Sequence, residues 1–389
     1  MREHVDTAHL VELASALIAV DTSNPPGNEA SLASVLREAL DPWGPDWSQV
    51  EPAPGRLSLI ARLSLASGAG RPTLIVNGHT DVVPAAAATW AHLPFRPSIE
   101  DGRLYGRGSA DMKGGVAAAI QALSTLEAAG QEPACNIVFH LVADEERGGA
   151  LGTRALLEAG YITGDACLVP EPTSLDVSVA ERGLLQGRIR VQGRAAHGSR
   201  PREGTSAIEH AAHIVLALHA ADFGDPEHPL LGKPTANIGT FQGGTIVNVV
   251  AEQAVIGFDR RILPGAGLDE AIAGLRSRID SAGVDGLDYE IEVDDFGEGS
   301  EMSPDHDFAG LMRRAVYQVT GREPATVGMT FTTDARFVRN QARIPAVVCG
   351  PGNITQAHGA DEWASISQLV DATAAYAELY RTFGAPGLA

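Results

Sequence analysis

Three strongly apolar runs in the first 180 residues, TLIVNGH, NIVFHLVA and DACLVPE, each lead into a histidine or an acidic residue, and this narrows the fold more than any other feature. Apolar runs of this length, bounded by turn residues, read as buried strands. Between the first two, KGGVAAAIQALSTLEAAG reads as a helix that starts after Asp111 and stops at Gly130. Strands alternating with helices predict an α/β domain, a mixed sheet with helices on both faces. Open sheets of that kind collect their sites beyond the carboxyl ends of the strands, so the polar residues that close these runs are candidates for one.

At 389 residues the chain exceeds the size at which a single core keeps growing, and two domains are expected. The texture changes near Ala180. GLLQGRIRVQG reads as a strand, TSAIEHAAHIVLALHAA as a helix, TANIGTFQGG and AVIGFDRRIL as two strands, and LDEAIAGLRSRIDSAG as a second helix. Strand, helix, strand, strand, helix, strand is the order of a small α+β sandwich. The predicted organisation is therefore an α/β domain over 1–180, an inserted α+β domain over 181–294, and the rest of the α/β domain over 295–389. In that last part DFAGLMRRAVYQVTG and ISQLVDATAAYAELYRTF read as helices and AVVCG as a strand, while SLASGAGRP nearer the start reads as a short surface turn.

A formal charge of −20 argues against nucleic acid and anionic membranes as partners, because phosphate binding needs a positive surface. Cys135, Cys167 and Cys349 are odd in number, widely spaced and set in apolar runs, which predicts reduced buried thiols and a cytoplasmic location. LVELASALIAV carries Glu12 and has no basic leader, so an amphipathic helix is expected there rather than a signal peptide. No run approaches membrane-spanning length.

Five metal-ligand candidates stand at strand or loop ends: His79 in NGHTDVVP, Asp111 in GRGSADMKGG, Glu146 in VADEERGG, Glu171 in VPEPTS and His358 in QAHGADEW. Two imidazoles and three carboxylates can hold two divalent cations, and the mixed set suits zinc, cobalt or manganese better than magnesium. Asp81, two residues beyond His79 on an extended segment, is placed to accept the other imidazole N–H. Asp111, between a glycine-rich hairpin and a helix start, has a helix cap as its ordinary role and a bridge between two cations as its functional one. In Asp144-Glu145-Glu146 adjacent side chains diverge, so one glutamate can bind metal while its neighbour acts as general base. No G-x-S-x-G elbow and no P-loop ending is present, which argues against a serine nucleophile and against a phosphate cradle.

The strings GHTDVVP, GRGSADMKGG, DEERGG, EPT, AAHGSRPREGTSAI and GPGNITQAHGADEW resemble the dinuclear zinc amidohydrolase and peptidase family. That family includes acetylornithine deacetylase, succinyl-diaminopimelate desuccinylase, aminoacylases and glutamate carboxypeptidases. The resemblance runs from near residue 10 to near residue 380, and its motifs are specific in combination. It implies that His79 and Glu171 hold one metal and Glu146 and His358 the other, that Asp111 bridges them, and that Glu145 is the base. It further implies that the inserted domain is a lid and homodimer interface from which His197 reaches a partner's site to stabilise an oxyanion. Asn248 and Arg261 resemble lid residues that grip a substrate carboxylate, with Arg260 the competing candidate because neighbours on a strand face opposite sides. Thr333, Asp334 and Arg336 fit the late loop, and the resemblance implies that Thr333 binds substrate, although MTFTTDARF puts Phe331 near where many relatives carry a glycine pair.

The expected function is metal-dependent hydrolysis of an amide bond in an N-acyl amino acid or related carboxylate-bearing substrate. A dipeptidase or carboxypeptidase of the same family is the alternative. A non-catalytic binding protein on this scaffold is more remote, since neither a ligand nor the base is missing.

Overall fold

The computed structural model describes residues 1–66 and 70–385, and the centre of the SLASGAGRP segment lies outside the described residues. The chain divides into two compact units. The first comprises Met1–Val179, Met302–Val327 and Thr333–Ala389, the second Ala180–Glu301 and Gly328–Thr332.

The first unit is built on a mixed sheet. Its middle four strands, in spatial order Asn136–Val142, Thr73–His79, Ala166–Val169 and Ala346–Val348, are all parallel, with His79 opposite Val142 and Val348 opposite Val169. Ser58–Leu63 and Asp46–Val50 extend one side antiparallel, two strands that carry no clear signal in the sequence. Apolar side chains along the middle strands are buried throughout, as a sheet covered on both faces requires. Because the four run in one direction, the loops that follow them leave from one edge; His79, Glu146 and Glu171 lie at or just beyond those strand ends, and His358 follows Ala346–Val348 after the short turn Ile354–Gln356.

Helices Lys113–Ala128 and Ile366–Thr382 pack on each other, and nearly every residue of the first is buried. Such a helix needs small residues where it meets the sheet. A Cβ at Gly115 would lie 2.1 Å from the Pro170 carbonyl oxygen, so only glycine lets the helix start rest against the loop that carries Glu171. The N-terminal stretch is a helix, Thr7–Ala19, with Leu10, Leu13, Ala14, Leu17 and Ile18 buried, the amphipathic pattern expected of it.

The second unit is a four-stranded antiparallel sheet, ordered Thr235–Gly243, Gln253–Ile262, Gly183–Gln192, Asp288–Gly297, with helices Ala207–Leu218 and Leu268–Asp280 contributing to its core. Along the chain this is the strand, helix, strand, strand, helix, strand order read from the sequence. Burial alternates residue by residue on the two middle strands, so one face carries the core and the other is more open.

Among the described residues no helix is long and apolar enough to cross a membrane. The three cysteines are free and buried, and burial pushes each thiol up to about 12, which leaves them unreactive.

Candidate metal centre

His79 closes its strand with the ring fully buried. Its Nδ1 lies 2.9 Å from the backbone carbonyl oxygen of Asp81, while the Asp81 carboxylate stands farther off at 3.5 Å. The nearest partner is thus the main chain of Asp81 rather than the side chain expected from the sequence. The carboxylate is engaged elsewhere: it accepts the backbone N–H groups of Glu145 and Glu146, each at 3.2 Å, and Asn24 Nδ2 at 2.8 Å.

A carbonyl can only accept, so the proton of a neutral His79 belongs on Nδ1, and Nε2 presents a lone pair. Nε2 is 2.9 Å from Asp111 Oδ1 and 3.3 Å from Glu171 Oε1. A lone pair facing two carboxylate oxygens is repulsive unless something positive lies among them. Burial works against a charge on the ring, but Glu171, Asp111 and Asp81 outweigh it and drive its pKa well above the ordinary histidine value. In the absence of metal that positive charge is a proton; the donor set suits a cation equally.

The other oxygen of Asp111 faces a second group. His358 Nε2 lies 3.2 Å from Asp111 Oδ2 and 3.2 Å from Glu146 Oε2. His79, Asp111 and Glu171 thus form one cluster able to hold a metal ion, and Asp111, Glu146 and His358 another, with Asp111 common to both. Asp111 does not cap the following helix, whose N-cap residue is Met112 and which has no side-chain cap. Burial, then the neighbouring Asp111, pushes Glu171 up to about 8, the mark of carboxylates crowded without enough positive charge. Two imidazole nitrogens and oxygens from three carboxylates in this arrangement fit a pair of divalent cations.

Glu145 is half-buried next to this group, and its pKa is raised well above the carboxylate range, first by burial and then, against the pull of His79, by Glu171, Asp334 and Glu146. The turn that follows it is held from the late loop. Arg336 Nη2 donates to the Gly148 carbonyl oxygen at 2.9 Å, and Thr153 Oγ1 donates to Asp334 Oδ2 at 2.6 Å. Thr333 is fully buried, and its hydroxyl oxygen accepts the Ala335 N–H at 3.2 Å.

Two residues missed in the sequence hold the loop that carries Asp111. Glu362, 1% exposed, accepts N–H groups from Gly108, Ala110 and Asp111 and receives Arg107 Nη1 at 2.6 Å, while Arg107 Nη2 donates to the His358 and Gly359 carbonyl oxygens. One buried ion pair thus ties the loop that carries Asp111 to the His358 loop. No local pattern signals it, because its partners lie some 250 positions apart.

In the second unit His197 is exposed and pairs in an isolated bridge with Val249, and Gly198 N–H donates to the Asn248 carbonyl oxygen at 2.8 Å. Ser199 N–H donates to His197 Nδ1 at 3.1 Å, which leaves the proton of a neutral ring on Nε2. Arg260 and Arg261 point to opposite faces. Arg260 is 5% exposed, donates Nη1 to the Ala271 carbonyl oxygen and covers the Phe223 ring at 3.9 Å. Arg261 is half-buried and lies on Asp259, with Nε–Oδ1 at 2.8 Å and Nη2–Oδ2 at 3.0 Å. Burial, then the nearby Arg261, lowers the pKa of Arg182, whose Nε donates to the Leu231 carbonyl oxygen at 3.1 Å.

The model of peptidase family M20/M25/M40 matches residues 75–382. The chain belongs to that family. It is 31% identical over 388 residues to a succinyl-diaminopimelate desuccinylase of Methylorubrum populi, an alignment covering 95% of this chain and 97% of that one. It is 30% identical to an acetylornithine deacetylase of Vibrio campbellii over 92% of each chain. Among solved structures, the aminopeptidase PepT of Bacillus cereus has the same fold, with a TM-score of 0.81 and 23% identity over 97% of this chain and 99% of the other. The M20 chain is accordingly a hydrolase of the amidohydrolase and metallopeptidase kind with a candidate metal-binding group, as its motifs imply.

Proposed function

We propose that this M20 protein is a dinuclear metal-dependent deacylase that cleaves the amide bond of an N-acyl amino acid or a related carboxylate-bearing substrate. The observation that carries the reading is the sharing of Asp111: one carboxylate offers an oxygen to each of two three-residue clusters, with Glu145 next to them. The relatives at 30 and 31% identity are named for removing an acetyl and a succinyl group.

His79, Glu171, Asp111, Glu146 and His358 would hold two divalent cations, zinc or else cobalt or manganese, which when bound supply Lewis acidity and lower the pKa of water. Glu145 takes a proton from the attacking water and returns it to the leaving nitrogen, work suited to a carboxylate whose pKa is raised. Asp81 fixes the His79 ring through its carbonyl and the two glutamates through its carboxylate. His197 offers Nε2–H to the oxyanion that forms at the carbonyl carbon. Asn248 and Arg261 bind the substrate carboxylate; with one edge of Arg261 on Asp259, the grip falls to Nη1.

The protein acts as a cytoplasmic homodimer in this reading, the second unit being both lid and interface, with His197 serving the partner's site. Exposed apolar side chains along 241–249 support an interface, among them Ile246 at 59% and Val247 at 103% exposure. Turnover of a panel of N-acetyl and N-succinyl amino acids against a panel of dipeptides tests the reading. Higher kcat/KM on the acyl series is expected; preference for free-amine dipeptides would make it a dipeptidase.

A further inference from the structure

Asp144 begins the loop that carries Glu145 and Glu146, and it holds φ +68, a left-handed conformation that aspartate adopts more readily than most non-glycine residues and that here is fixed by its hydrogen bonds. The surroundings are a buried polar network centred on Arg56, which is 7% exposed and stands just before the strand Ser58–Leu63. Arg56 Nη2 donates to Asp144 Oδ1 at 2.9 Å and to Glu29 Oε1 at 2.8 Å, and its Nε donates to Glu29 Oε2 at 2.9 Å. Asn24 extends the network: its Nδ2 donates to Asp144 Oδ1 at 3.1 Å and to Asp81 Oδ2 at 2.8 Å, and its Oδ1 lies 3.4 Å from Arg56 Nη1. The other oxygen of Asp144 accepts the Leu151 N–H at 2.9 Å.

Three carboxylates, Glu29, Asp81 and Asp144, therefore meet within the interior at 2%, 0% and 5% exposure. Buried carboxylates that close require matching charge and donors, and a planar guanidinium supplies several directed N–H groups at once where an ammonium supplies a point charge. The network ends on the backbone of the two glutamates, through the Asp81 carboxylate, and on the residue before them, through Asp144.

We propose that Arg56 is a positioning residue for the general base: its fork holds Asp144 directly, and through Asn24 and Asp81 the backbone of Glu145 and Glu146. Glu29 anchors the fork. The proposal rests on Glu145 being the base, as in the proposed function. Its consequence is that Arg56 matters to turnover only while Glu145 can carry a proton.

A double-mutant cycle on the metal-loaded, full-length protein tests this, using the best N-acyl amino acid from the substrate panel. Arg56→Lys keeps the charge and loses the fork; kcat is expected to fall on the order of 10- to 100-fold, the scale of a misplaced catalytic group. KM and bound metal, measured by atomic absorption, should stay within about two-fold, and adding Arg56→Lys to Glu145→Gln should slow that variant no further than about two-fold. Glu29→Gln should lower kcat in the same direction by less, and it carries the cycle if Arg56→Lys fails to fold. Unchanged kcat in folded variants that have only lost thermal stability would make the network purely structural and overturn the proposal. Losses that multiply in the double variant would overturn it too, because Arg56 would then act without Glu145. Metal loss in Arg56→Lys at full residual kcat per metal-loaded site would also overturn it, because Arg56 would then act on Glu146 and not on the base. Full activity in Glu145→Gln alone would instead remove the base, a failure of the functional reading that takes this proposal with it and is visible before Arg56 is touched.

Discussion

His79, Asp111 and Glu171 are 1%, 7% and 3% exposed, and each is held within the first unit by buried partners; His197 and Asn248 in the second unit are exposed, on two segments paired only by an isolated bridge. The contrast follows from the two architectures. Parallel strands covered by helices leave polar groups at one edge, where neighbouring loops can be tied together by ion pairs such as Arg107–Glu362 and Arg56–Asp144. An antiparallel sheet with helices on one face leaves its other side open. The first arrangement suits chemistry that needs fixed atoms, and the second suits the lid role proposed for it.

The largest expected effect lies in the first unit. Glu145→Gln keeps the shape of the base and removes its proton chemistry, so kcat should fall on the order of 10³-fold with both metals retained. Glu146→Gln should lower affinity for one metal instead. Metal analysis beside steady-state kinetics separates them, and the reverse pattern would exchange the roles of the two glutamates.

In the second unit, His197→Ala should cost about 10²–10³-fold in kcat, the usual loss on removing one oxyanion donor. If that histidine serves the partner's site, mixing His197→Ala with Glu145→Gln protein should restore activity. One site in each mixed dimer then has its own Glu145 and borrows an intact His197. Activity that stays at the sum of the two variants after verified subunit exchange would place His197 within its own subunit's work and blur the contrast between the units.

The smallest effect concerns substrate grip. Arg261→Lys should weaken binding of carboxylate-bearing substrates by about 1–3 kcal/mol, read as a raised KM with little change in kcat. Arg260→Lys, on the buried face, should lower thermal stability and leave KM near wild type. An unchanged KM in the first and a raised one in the second would reverse the assignment.

The five ligand candidates were legible because each sits at a sharp change of texture, an apolar run or a glycine turn ending in a ligand-type side chain. The order of elements in the second unit was legible for a related reason: period-two and period-3.6 patterns alternate cleanly there. What could not be read were side-chain directions and distant pairs. Arg260 and Arg261 look alike until the helix Leu268–Asp280 is seen to contribute the Ala271 carbonyl that takes one of them. Asp81 reads as a partner for His79 by spacing alone, yet its carboxylate is drawn to two backbone N–H groups more than 60 residues away. Arg56 and Glu362 stand in loops and Glu29 opens a short 3-10 turn, Glu29–Leu32, none with periodicity, and their partners are set by tertiary packing.

The claim on which the rest depends is that Asp111 joins two metal sites. Calorimetric titration of metal-stripped protein with zinc tests it most directly. Two ions per chain are expected for the wild type and for Glu145→Gln, one or none for Asp111→Ala, and no turnover before metal is returned. Fewer than two ions in the wild type, two ions in Asp111→Ala, or full activity in the stripped protein would contradict it.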